Sequence, residues 1–272
     1  MLKYRQAFWK NDEDRYEKFL DDVDSGKTAI HTDTLYPYEI IVPFLENAAP
    51  INDKTLKSLE TTWYALPDYT RGENSIVVVD GSGSMYGSRP LPASIALSLG
   101  LHFAERNYGA FYGYFITFSM TPQLVKVTGK NLHDRVLHAA SYNEVANTNI
   151  SAVFDLILKS AIRHNVPQSE LPKRIYIISD MEFDDCAKGA SVSNFTHAQK
   201  MFSDAGYELP QIVFWNVDNR HNTQPVRQNE QGVVLVSGSS PSIFSLAMEG
   251  NIDPYKAMLE AINQPRYDVI EA

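Results

Sequence analysis

Three stretches of this 272-residue chain carry oxygen-bearing side chains in a pattern that could do chemistry. They are Asp80-Gly81-Ser82-Gly83-Ser84, then Thr148, then Asp180. The set is two carboxylates and three hydroxyls, with no imidazole or thiolate. Such donors suit hard divalent cations, Mg²⁺ or else Mn²⁺ or Ca²⁺, rather than zinc or copper. Gly81 and Gly83 let the backbone turn tightly enough for both serine hydroxyls to face one point. Two carboxylates crowd together only when a cation offsets them. Neutral hydroxyl ligands leave that cation electrophilic, which favours an incoming acidic group at an open position.

The elements around these residues bring them to one edge. SIVVVD (75–80) is a β-branched run that suits a strand buried on both faces. Pro92 opens a helix rich in Ile95, Leu97, Leu99, Leu101 and Phe103. FYGYFITFS (111–119) is the next strand, and QLVKV (123–127) follows too closely for a crossover, so it reads as an antiparallel hairpin partner. Residues 150–163 set Val153, Phe154, Ile157, Leu158 and Ala161 on one side of a helix. RIYIISD (174–180), a helix near 194–205 ended by Gly206, QIVFWNV (211–217) and GVVLVSG (232–238) continue the alternation. Ser240-Pro241 and Asp253-Pro254 open two further helices. The pattern predicts a Rossmann-like α/β fold: a mostly parallel central sheet, one antiparallel edge strand and helices on both faces. Ligands in such folds bind outside the carboxyl ends of the strands, where Asp80 and Asp180 fall.

Residues 1–70 read as helices. Tyr16, Phe19, Leu20 and Val23 share a face, with Asn11 as a cap and Gly26 as a stop. A second helix starts near Pro37 and presents Ile40, Ile41, Phe44 and Leu45, with Pro43 disturbing its regularity. A third, around 52–64, offers Leu56, Leu59 and Trp63. Three short helices make a poor core alone, so they are expected to dock on the rest of the chain or on a partner. The division predicted is 1–70 helical segment and 71–272 α/β domain.

Composition narrows the function. With 24 Lys+Arg against 33 Asp+Glu the net charge is −9, and no basic footprint for phosphate backbones exists, so DNA is not an expected partner. One cysteine, Cys186, excludes an internal disulfide framework. The N-terminus has no apolar signal core, and no apolar stretch is long enough for a membrane span. A cytoplasmic protein without membrane contact is the expectation.

The D-x-S-x-S run after the first strand, with Thr148 and Asp180, resembles the metal-ion-dependent adhesion site of von Willebrand factor type A domains. That resemblance implies that Ser82 and Ser84 bind the metal directly and Thr148 does so directly or through water. Asp80 and Asp180 would act mainly through waters. It implies a protein partner whose Asp or Glu completes the coordination. A closer resemblance runs over nearly the whole chain. VVDGSGSM, TNISAVFDLIL, IISDMEFD, GYELPQIVFWNV and GVVLVSGSS are similar to an uncharacterised family with a von Willebrand A-like C-terminal half. Its N-terminal helical region is TROVE-like, related to that of the Ro ribonucleoprotein. NDEDRYEKFLDDVDSGK and LYPYEIIVPFL would then be the tail of helical repeats that are much longer in full members. RNA would be reached only indirectly, through a helical partner.

Other chemistry at this edge reads more weakly. GSGSMYGS has no Gly-Lys-Ser/Thr and is not a P-loop, and Tyr86 stands where a dinucleotide fingerprint needs its third glycine. Glu182 and Asp184 could serve a metal-dependent hydrolase or line the site rim, as could Ser237 and Ser239. No nucleophile–base pair is evident, so binding rather than catalysis is expected. Thr148-Asn149 also reads as the N-cap of the 150–163 helix. His102, on an apolar helix, reads as a core residue.

Overall fold

The structure is a computed structural model. It describes residues 4–32, 34–46, 51–70, 72–142, 149–180, 191–218 and 233–238, with isolated positions beyond. Four helices come first: α1 (Arg5–Asn11), α2 (Glu13–Asp24), α3 (Pro37–Glu46) and α4 (Asp53–Tyr64). The break between α1 and α2 lies at Asp12, so Asn11 ends one helix instead of capping the next. Asp12 makes no side-chain cap bond and pairs with Arg15 at 2.9 Å. Gly26 follows α2 with φ +73°, the left-handed stop expected of it. α3 runs through Pro43 without ending, because Ile40, Ile41 and Phe44 on either side of it are locked in the core. Asn52 caps α4 by accepting the Thr55 N–H at 2.8 Å.

The remaining elements are β1 (Ser75–Asp80), α5 (Pro92–Arg106), β2 (Tyr114–Phe118), β3 (Leu124–Lys126), α6 (Leu132–Ala140) and α7 (Ile150–Arg163). They continue as β4 (Arg174–Ser179), α8 (Ser191–Asp204), β5 (Gln211–Asn216) and β6 (Val233–Ser237). Six described strands form one sheet in the order β3-β2-β1-β4-β5-β6, all parallel except β3, which pairs antiparallel with β2. β2 begins three residues later than the apolar run that predicts it, since Gly113 turns with φ +81°. α6 was not evident from the sequence. The two helices expected after Pro241 and Pro254 fall, apart from isolated positions, outside the described residues.

Strand alternation divides the core in two. Val77, Val79, Phe115, Tyr176, Ile178 and Trp215 join α3, α4, α5 and α6 on one face. Ile76, Val78, Ile116, Ile175, Ile177 and Phe214 join α7 and α8 on the other. Of the N-terminal helices, α3 and α4 therefore share a core with the sheet. Trp63 of α4 is fully buried, and its Nε1 donates to Glu105 of α5 at 2.7 Å. Arg135 of α6 pairs with the same Glu105 at 2.7 Å and with Glu60 of α4 at 3.3 Å. α5 is covered throughout: every residue from Pro92 to Ala104 is buried, as suits a helix apolar on all sides. His102 lies fully buried there, its Nε2 accepting the Tyr69 N–H at 3.5 Å.

Candidate metal centre

The chemistry-bearing residues collect at the carboxyl edge of the central strands. Period-2 alternation carries Asp80 onto the face of Ile76 and Val78, beside Ser179 of the neighbouring strand. Asp80 and Asp180 are each only 2% exposed. Asp80 Oδ2 accepts from Ser179 Oγ at 2.5 Å, and Oδ1 accepts the Ser82 N–H at 2.8 Å. After Asp80 the chain turns through a short 3₁₀ segment, Gly83–Tyr86, in which Met85 is anchored in the core. That anchor sets Ser82 and Ser84 side by side, their Oγ atoms 3.1 Å apart and half-buried. Further along the same loop, Ser88 Oγ donates to Asp218 Oδ2 at 2.5 Å, just beyond β5.

Burial pushes the Asp80 carboxyl above its ordinary value. The hydrogen bonds from Ser179 and Ser82 pull the other way, and the negative charge of Asp180 adds to the rise. A carboxylate excluded from water beside a second one, as Asp80 is beside Asp180, is relieved by a cation. The donors around it are hydroxyls, and among the described residues no three His, Cys, Asp or Glu side chains gather into an alternative ligand cluster. The residues present fit a hard divalent ion.

The structure thus brings Asp80, Ser82, Ser84 and Asp180 to one edge. Thr148 lies outside the described residues, as do Glu182, Asp184, Cys186 and Ser239. The residue after Thr148 is the α7 cap: Asn149 Oδ1 accepts the Ala152 N–H at 3.1 Å. Ser237 is exposed at the end of β6, opposite Asn216 and two strands from β4. Ser179, Ser88 and Asp218 were not foreseen. Ser179 carries a faint signal, being the hydroxyl that parallel register sets level with Asp80. Ser88 and Asp218 carry none, since 130 residues separate them.

A family model described as a domain of unknown function, DUF7788, matches residues 74–266. The chain belongs to this family. A second model described as a domain of unknown function, DUF2828, matches residues 1–70. The uncharacterized protein L728 of Acanthamoeba polyphaga mimivirus is 30% identical over 253 residues, covering 91% of this chain and 43% of its own length. Among solved structures, the Ro (RSR) protein of Deinococcus radiodurans matches with a TM-score of 0.55 at 11% identity, over 92% of this chain and 52% of that one. Proximal thread matrix protein 1 of the mussel byssus, solved with a zinc-occupied MIDAS motif, matches with a TM-score of 0.40 at 12% identity. It covers 66% of this chain and 47% of that one. The chain spans about half the length of these proteins or less. The Ro likeness takes in nearly the whole chain and bears on fold: a von Willebrand A-like α/β unit preceded by helices.

Proposed function

We propose that the chain is a divalent-metal-dependent protein-binding module. In this reading Ser82, Ser84 and Thr148 hold the ion, and Asp80 and Asp180 balance its charge, mainly through bound water. The ion, Mg²⁺ or else Mn²⁺ or Ca²⁺, supplies an electrophilic centre for a partner's Asp or Glu carboxylate. Residues 71–272 form the binding module and residues 1–70 a helical segment packed on it. The observation that carries the proposal is the pair of carboxylates, each 2% exposed, beside two hydroxyls 3.1 Å apart.

The test is calorimetric titration of the chain with Mg²⁺ and Mn²⁺, for the wild type and a Ser82→Ala/Ser84→Ala double variant. Saturable binding to the wild type that the variant loses supports the reading, and equal binding by both refutes it. The likeness to Ro over 92% of the chain supports a second reading, an RNA-associated scaffold acting beside a helical partner. A salt-dependent RNA mobility shift by the isolated chain would support this second reading, against which the net charge of −9 argues.

A further inference from the structure

Hydrogen bonds run in a closed circuit around the carboxyl edge. Ser179 Oγ donates to Asp80 Oδ2, and the Val217 N–H donates to the Ser179 carbonyl at 3.0 Å. Val217 leads directly into Asp218, whose Oδ2 accepts from Ser88 Oγ at 2.5 Å. Ser88 follows Gly87, whose N–H donates to the Ser84 carbonyl at 3.1 Å. Ser84 Oγ lies 3.1 Å from Ser82 Oγ, and the Ser82 N–H returns to Asp80 Oδ1 at 2.8 Å. Every link but one is local or lies between adjacent strand ends. The exception is Ser88–Asp218, which spans 130 residues and ties the far end of the hydroxyl-bearing loop to the end of β5. Asp218 is itself fixed, because its N–H donates to Asn216 Oδ1 at 3.0 Å.

From this circuit we infer that Ser88 and Asp218 are positioning residues for the metal centre. Neither belongs to the five-residue motif. Their bond holds the loop so that Ser82 and Ser84 face one point before an ion arrives. The cost of ordering two hydroxyls is then met on folding and not on binding. A loop released from β5 remains held at its start by Asp80 and by Met85 in the core. Its fold survives, but the convergence of its hydroxyls is lost. Asp218 works as a hydrogen-bond acceptor in this role, and its charge is incidental.

The inference rests on the metal-binding reading, and the experiment separates the two. Mn²⁺ affinity is measured by electron paramagnetic resonance titration on the full chain, with the metal-free thermal midpoint recorded for each variant. The variants are Ser88→Ala, Ser88→Thr, Asp218→Ala and Asp218→Asn. Ser88→Ala and Asp218→Ala are expected to weaken Mn²⁺ about tenfold, the lower end of what loss of an outer positioning contact costs. Their metal-free midpoints stay near that of the wild type. Ser88→Thr restores affinity, and so does Asp218→Asn, whose amide oxygen accepts the same bond. Wild-type affinity in both alanine variants overturns the inference while leaving the metal site intact. Equal losses in Asp218→Asn and Asp218→Ala overturn it in favour of a direct charge effect on the ion. Should an alanine variant fail to fold, the Asn and Thr variants still decide between bond and charge. A wild type that binds no Mn²⁺ overturns the underlying reading and the inference with it.

Discussion

Replacing Asp80 with Asn should make the metal-free protein more stable and the metal-loaded protein comparatively less so. Asp80 and Asp180 sit at the ends of adjacent strands, each 2% exposed. Strands pack ~4.8 Å apart, so a separation of ~6 Å is a fair scale for the two charges. At an effective dielectric of ~20 their repulsion is ~3 kcal/mol. Protonation of one carboxyl relieves part of this, which leaves ~1–2 kcal/mol for Asp80→Asn to recover. At ~2–4 °C per kcal/mol in a chain of this size class, the variant's midpoint in EDTA should rise by ~2–8 °C. Its amide oxygen still accepts the Ser82 N–H, and Ser179 can reverse its hydroxyl to accept from the amide. With Mg²⁺ at about a hundred times its dissociation constant, the wild type gains ~2.7 kcal/mol, or ~5–11 °C, and the variant nothing. The order of the two midpoints therefore inverts between EDTA and Mg²⁺, which scanning calorimetry reads directly. The pH dependence follows with its sign. Burial raises the Asp80 carboxyl above 3.8, so its contribution to stability is fully present below 3.8 and is lost as pH rises through the folded value. The variant's advantage in EDTA should shrink on acidification toward that value. A variant less stable than wild type in EDTA, with an unchanged response to Mg²⁺, would refute the reasoning.

Three further outcomes test the scaffold. Glu105→Ala removes the acceptor of the Trp63 Nε1 bond and the nearer of Arg135's two carboxylate partners, both at 2.7 Å and poorly exposed, and should cost ~2–4 kcal/mol in urea denaturation. Gly100→Ala would place a Cβ 2.6 Å from Val79 Cγ2, where α5 meets β1, so a loss of ~1–3 kcal/mol is expected by the same assay. His102 is held well below 6.5, first by burial and then by the Arg106 charge, so it stays neutral in the fold. The unfolded chain takes up a proton below ~6.5 and the folded chain resists it, so this contribution is present above ~6.5 and lost as pH falls. The drop in unfolding free energy between pH 7 and pH 5 should be smaller in His102→Gln, and an equal drop would count against the assignment.

The sheet was legible because its strands are buried on both faces and read as unbroken β-branched runs. SIVVVD and RIYIIS coincide with β1 and β4 to the residue, setting aside the Asp that closes the second run. The carboxyl-edge grouping of Asp80, Ser82, Ser84 and Asp180 followed from that reading. What escaped was either short or long-range. α6 has only nine residues, and exposed Leu137 blurs the spacing of Leu132, Val136 and Ala139. α1 turns on a break at Asp12 that composition does not announce. The Ser88–Asp218 bond depends on how the ends of β1 and β5 approach in space, and no local pattern records it.

α5 has a consequence for how this protein can change over generations. With Pro92 to Ala104 all buried, the helix has no outward side on which substitutions could drift unnoticed. Its neighbours Leu59 and Trp63 come from one end of the chain, Val79 and Phe115 from the middle. Genetic exchange that brought in a foreign helical segment ahead of β1 would meet a surface moulded to the old one. A change on the buried surface where α5 meets Leu59 and Trp63 is therefore felt in both regions at once.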